Sequence, residues 1–192
     1  MQEFVKFLKQ FLFHPIAVSS ITPSSKFLSS AITKEINPKN SKIVFEFGCG
    51  SGAITKSIIS NIKKDAMLVA FDINKNFTEI VKRKYPEVIV INDSVENVEK
   101  HMKQHSINKI DIIISSLPWA VFSLSTQSKL LNLIHRILRP NGIFITYSYL
   151  HTFIFPSQSR FRSILHKQFR VVRTSKPVWL NLPPAVIIKC IK

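Results

Sequence analysis

Five short runs rich in β-branched and aromatic residues constrain the fold most: KIVFEFG (42–48), AMLVAFDI (66–73), EVIVIND (87–93), IDIIISS (110–116) and GIFITYSY (142–149). They are apolar continuously rather than at every second position. Each must therefore be buried on both faces, as a strand is inside a parallel sheet covered by helices. Stretches of helical period separate them: AITKSIISNIKK (53–64), NFTEIVKRKY (76–85) and TQSKLLNLIHRIL (126–138), the last closed by the turn RPNG. Downstream, a basic helix SQSRFRSILHKQ (157–168) leads into FRVVRTSKPVWL, the turn NLPP (181–184) and AVIIKCIK. Two strands joined that closely pair antiparallel, so the sheet is expected to end in a hairpin. The fold class is α/β, a mostly parallel sheet with a C-terminal antiparallel hairpin and helices on both faces.

At 192 residues the chain suffices for one domain with a substantial core. Its net charge of +16 is unevenly spread. Residues 1–45 hold six Lys and two Glu, and residues 46–111 balance ten basic against nine acidic side chains. After Asp111 come eleven basic residues and no Asp or Glu, so the flanks, and above all the carboxyl half, suit an anionic partner. Cys49 and Cys190 lack the spacing of a metal site, and no metal is expected. No apolar stretch reaches the ~18 residues of a membrane span. The start, MQEFVKFLKQFLFHP, lacks the features of a secretory signal, so the chain is expected in the cytoplasm. On a helical wheel, however, Phe4, Val5, Phe7, Leu8, Phe11 and Leu12 share one arc and Gln2, Glu3, Lys6, Lys9 and Gln10 the other. Residues 2–13 therefore read as an interfacial helix for an anionic membrane surface, and residues 1–41 as amphipathic and cap helices ahead of a catalytic domain at 42–192.

The first strand breaks into EFGCGSG, which places Glu46 two residues before Gly48, Gly50 and Gly52. A phosphate loop needs Gly immediately before Lys-Ser, and Thr55 precedes Lys56 and Ser57. A dinucleotide fingerprint would put Gly where Ala53 stands, a departure that some such folds accept. Asp72 ends the second strand, and Asn92 and Asp93 end the third. In a doubly wound sheet all these residues meet at the carboxyl ends of adjacent strands. Acidic tips suit a ligand with a cationic amine, ribose hydroxyls and an adenine amine but no phosphate, and S-adenosylmethionine has all of these.

The ExGxGxG run with its spaced Asp72 resembles the class I S-adenosylmethionine-dependent methyltransferases, which have a Rossmann-like sheet. The likeness covers about residues 42–191. It implies that Glu46, Gly48, Gly50 and Gly52 shape the methionine pocket, that Asp72 with Ile73 holds the ribose, and that Asn92, Asp93 and Ser94 lie at the adenine. After the fourth strand, SSLPWAVF (115–122) looks like the Asn-Leu-Pro-Tyr type of motif in amine methyltransferases, with Ser116 in place of Asn and Trp119 in place of Tyr. The hydroxyl changes the hydrogen-bonding geometry, whereas Trp119 is suited to facing a cationic amine, with Leu117 and Pro118 beside it.

Three further segments, ITPSSKFLSSAI (21–32), FITYSY around Tyr147, and VWLNLPPAVI (178–187) with Asn181, resemble bacterial phospholipid N-methyltransferases. That likeness implies methylation of phosphatidylethanolamine toward phosphatidylcholine by a peripheral protein of the inner membrane. Tyr147 then orients the amine, and Arg160 and Arg162, with Lys167, Arg170 and Arg173, are candidates for lipid phosphate. The acid-free carboxyl half offers no carboxylate base, which leaves Tyr147, His151, water or the lipid phosphate. Two alternatives stand beside this one. One is an rRNA adenine N6-methyltransferase, which would use the same charge for nucleic acid but lacks the Asn. The other is a membrane-binding protein that keeps the fold without turnover.

Overall fold

The computed structural model describes residues 25–36 and 41–192. The expected interfacial helix at 2–13 and the start of the 21–32 segment lie outside the described residues. The five apolar runs form parallel strands: β1 (Ile43–Phe47), β2 (Met67–Asp72), β3 (Ile89–Asn92), β4 (Ile110–Ser115) and β5 (Leu138–Tyr149). The last two strands, β6 (Val171–Thr174) and β7 (Ala185–Ile191), complete a seven-stranded sheet in the order β3-β2-β1-β4-β5-β7-β6. β7 is antiparallel to both β5 and β6, so the terminal hairpin is present and its second strand is the inner one. Because the chain runs outward from β1 to β3 and then crosses to β4, the order reverses between β1 and β4. Crevices at such a reversal, beyond the carboxyl ends of the strands, are where open α/β sheets bind ligands.

Among the described residues six α-helices accompany the strands: α1 (Lys26–Lys34), α2 (Ala53–Ile59), α3 (Lys75–Lys84), α4 (Val98–Gln104), α5 (Leu124–Ile137) and α6 (Pro156–Gln168). Continuous apolarity in the strands pays off as two cores. On one face Phe45, Phe47, Phe71 and Phe144 pack with Trp119, Leu131 and Phe161. On the other, Val44, Ala70, Ile112 and Ile145 pack with Leu28 and Ile32 of α1 and Ile54 and Ile58 of α2. Each fully buried large side chain contributes about 1.5 to 3 kcal/mol, so the phenylalanine cluster alone is a major part of the stability. α1 thus belongs to the same packed body as the sheet, and Lys189 of β7 fixes its end through the Glu35 carbonyl (2.9 Å) and carboxylate (3.1 Å).

Local chemistry moves several boundaries. The helix expected over 53–64 stops at Ile59, where Ser60 and Asn61 side chains bond back to the carbonyls of Lys56 and Ser57 and compete with the helical ladder. The expected RPNG turn is absorbed into β5 as an irregularity: the register shifts between Ile110 and Ile112, and Asn141 takes φ +58°. At the opposite end of the sheet from the glycines, Asp111 accepts from the backbone N–H groups of Lys42 and Ile43 and from Arg139, tying the starts of β1, β4 and β5 together.

Candidate active site

The glycine run leaves β1 and turns sharply before α2, with φ of +82° at Gly48, +50° at Gly50 and +85° at Gly52. A side chain at Gly52 would stand 2.9 Å from the Tyr85 ring, so only glycine fits that turn. At Gly50 the direction of a side chain is open, with no atom within 4 Å. The loop is strapped to the neighbouring strand, since Gly48 N–H and Cys49 N–H both donate to the Phe71 carbonyl and Gly50 N–H donates to Asp72 Oδ2 at 2.9 Å. Asp72 also accepts from the Asn74 N–H, so the residue expected at the ribose organises the tips of β1 and β2 together. Burial raises its pKa, against the lowering effect of the N–H groups of Asn74, Gly50 and Ile73.

Beneath the loop, Glu46 is fully buried. Thr55 of α2 donates to its Oε2 at 2.6 Å, while Oε1 has no hydrogen-bond partner. Burial pushes this carboxyl up to about 8, with the Thr55 hydrogen bond opposing and the Asp72 charge adding. Two carboxyl groups close enough for the charge of one to raise the other, Glu46 buried with a free oxygen and Asp72 partly buried, favour a cationic ligand, and the open direction at Gly50 gives the ligand room. The residues therefore fit S-adenosylmethionine.

The third tip is more self-contained. Asn92 donates to the Asp72 carbonyl at 3.0 Å, and Asp93 accepts from Ser94 N–H, from Asn97 and, at 2.8 Å, from His101 Nε2. Burial would raise the Asp93 carboxyl, but the His101, Asn97 and Ser94 hydrogen bonds outweigh it and the pKa falls. Ser94 is buried and its hydroxyl accepts from the Glu96 N–H, starting a short 3₁₀ turn. His101 is brought here by α4.

Across the switch point, Ser116 N–H donates to the Phe47 carbonyl, which lays the Ser116-Leu117 segment against Gly48. The Ser116 hydroxyl is buried without a partner. Trp119 corrects an expectation. Instead of facing an amine it is 2% exposed, with its ring stacked on Phe161 at 4.8 Å and edge-on to Phe122 and Phe144. Asn181 is also buried: its Oδ1 accepts from Ser25 N–H at 3.1 Å and its amide donates to the Pro183 carbonyl, so it holds the β6–β7 loop to α1. Tyr147 sits on β5 facing the other core, half-buried, its ring edge-on to Tyr149. Arg160 and Arg162 are exposed on the first half of α6, Arg162 lying 5.0 Å over the Phe153 ring. Arg170, by contrast, follows the far end of that helix and donates to Asn141 at the start of β5, on the edge away from the glycines.

A family model described as a methyltransferase domain matches residues 45–146, and the chain belongs to that family. Its fold and pocket define a class I S-adenosylmethionine-dependent methyltransferase. Among characterised relatives, an ornithine lipid N-methyltransferase from Singulisphaera acidiphila is 28% identical over 147 residues, which cover 75% of this chain and 77% of the relative. Among solved structures, precorrin-6y C5,15-methyltransferase from Geobacter metallireducens superposes with a TM-score of 0.66 at 14% identity, covering 92% of this chain and 93% of that one. Magnesium protoporphyrin IX methyltransferase from Synechocystis, with bound SAM, superposes at 0.63 with 12% identity, covering 85% of this chain and 76% of that one. The structural neighbours establish the fold.

Proposed function

We propose that the protein N-methylates the amine of a membrane lipid headgroup, phosphatidylethanolamine toward phosphatidylcholine, as a peripheral protein of the cytoplasmic membrane face. The observation that carries this reading is the relationship, over three quarters of the chain, to an enzyme named for N-methylation of a lipid. The same relationship favours ornithine lipid as a second acceptor, since it too offers an amine on a lipid. Among the described residues no helix is long and apolar enough to cross a membrane, so contact with lipid would be made from one side.

Bound S-adenosylmethionine supplies a methyl group on a positively charged sulfur. Glu46, whose Oε1 is free, and the glycine loop would hold its methionine part, Asp72 with Ile73 would take the ribose hydroxyls, and Asn92, Asp93 and Ser94 would border the adenine. Ser116, Leu117 and Pro118, which lie against Gly48 or next to that contact in the chain, would form the wall beside the methyl group, with the buried Trp119 ring following them. Tyr147 orients the acceptor nitrogen, while Arg160 and Arg162 receive the lipid phosphate, for which a guanidinium fork is well shaped. No acid would be required, because the sulfur would leave as a neutral thioether, but the headgroup ammonium must give up a proton to become the nucleophile, and Tyr147, His151, water and the lipid phosphate are the groups that could take it. The contribution of these residues is alignment of nitrogen, methyl and sulfur and exclusion of water.

Radiolabelled methyl transfer tests the reading, with phosphatidylethanolamine in anionic liposomes, ornithine lipid and total RNA offered separately. Label migrating as methylated phosphatidylethanolamines is expected. Label confined to ornithine lipid would move the assignment to that acceptor, label confined to RNA would replace it with nucleic acid methylation, and none in any acceptor would favour a protein without turnover.

A further inference from the structure

Seven large apolar side chains are prominently exposed among the described residues, and all of them lie on the edge of the sheet that carries the glycine loop. Phe27 and Leu124 begin α1 and α5, and Ile154 and Phe155 follow β5. Trp179, Leu180 and Leu182 project between β6 and β7, Leu182 being 79% exposed and Trp179 66%. The opposite edge has none of them. Such a one-sided distribution is not what random exposure of single apolar residues gives.

These loops are joined rather than loose. Leu150 N–H donates to the Pro184 carbonyl at 2.9 Å, Val178 bridges to Ala185, and Asn181 ties the same loop to Ser25 at the start of α1. Exposed basic residues flank them, Lys26 beside Phe27, Arg160 and Arg162 beyond Phe155, and Lys176 before Trp179. No Asp or Glu occurs anywhere after Asp111 to offset their charge.

We infer that this edge is the membrane-docking surface, with Ile154–Phe155 and Trp179–Leu182 entering the interface of an anionic bilayer. Trp is suited to the headgroup level, Leu and Ile to the acyl boundary, and Arg and Lys to lipid phosphates around them. A second protein would match the apolar loops equally well, but the basic side chains beside them, with no Asp or Glu on the loops themselves, match an anionic lipid surface. Docking this way turns the open side of the glycine loop toward the headgroups. The inference rests on the lipid reading of the site, and it assigns the docking role to the catalytic domain itself rather than to residues 2–13.

The chain's two tryptophans make it testable in the full-length protein, because Trp119 is buried and Trp179 is not. With vesicles of phosphatidylglycerol and phosphatidylcholine, emission should shift to the blue and be quenched by brominated acyl chains, and Trp179→Phe should remove both responses. A Leu180→Ser/Leu182→Ser variant should pellet with vesicles at least about tenfold less well, while binding S-adenosylmethionine in solution as the wild type does. Pelleting of that variant at wild-type levels, or Trp179 remaining open to aqueous quencher in vesicle-bound protein, would overturn the inference in favour of another face. Concentration-dependent dimerisation abolished by the same substitutions would overturn it in favour of a second copy. Insertion of Trp179 without methyl transfer to any lipid would reject the acceptor assignment and leave the surface standing. Transfer to lipid with Trp179 still in water would reject the surface alone.

Discussion

Replacing Glu46 by Gln gives the sharpest test of the pocket. Burial moves this carboxyl from 4.5 to about 8, with Thr55 opposing and Asp72 adding. The stability that the protonated carboxyl confers is fully present below pH 4.5 and is lost as the pH rises through about 8. At neutral pH the folded group retains a proton that the unfolded chain has already released, which at ~1.4 kcal/mol per pH unit amounts to about 3 kcal/mol. Glutamine is neutral throughout and still accepts the Thr55 hydroxyl. In urea unfolding without ligand, the variant should therefore gain on the wild type steadily from pH 4.5 upward, reaching about 3 kcal/mol at neutral pH. The same substitution should weaken S-adenosylmethionine binding about tenfold or more, because the ammonium loses a charged acceptor. Calorimetry in buffers of different ionisation enthalpy should detect proton release on binding to the wild type and none with the variant. A stability difference that does not change with pH would refute the buried, proton-holding carboxyl.

Three further outcomes follow from the site. Asp72→Ala should lower S-adenosylmethionine affinity about 30-fold or more by equilibrium binding, since the hydroxyl acceptors and the strap on Gly50 are lost together. Gly52→Ala should destabilise the fold by about 1 to 2 kcal/mol in thermal unfolding, because φ is +85° there and the new methyl meets Tyr85 at 2.9 Å. Tyr147→Phe should lower kcat for lipid about tenfold while leaving S-adenosylmethionine affinity unchanged, as expected for a hydroxyl that orients only the acceptor; equal loss of cofactor affinity would move Tyr147 out of that role.

The sheet was legible because its strands are buried on both faces and so read as unbroken apolar runs, and the glycine turn because three positive-φ positions demand one residue type. The helix Val98–Gln104 was not, since only Val98 and Met102 of it are buried and two apolar residues make no period. His101 went unnoticed as a partner of Asp93 for the same reason: only that helix brings the two together. Thr55 lies nine residues from Glu46, and its hydroxyl becomes meaningful only when α2 folds back over the loop. Trp119 failed in the other direction. A motif fixes where a ring enters the chain, but the Phe161 ring that stacks on it comes from a helix more than forty residues on.

The place of β7 has a consequence for how the chain is made. It inserts between β5 and β6, both of which leave the ribosome before it. Until residue 191 is free of the exit tunnel, β5 and β6 have no partner between them, and the nascent protein presents two unpaired edges beside the basic helix. Completion of the sheet thus waits for β7 to emerge, and any chaperone or membrane lipid that meets the nascent chain before then meets an open sheet rather than the finished one.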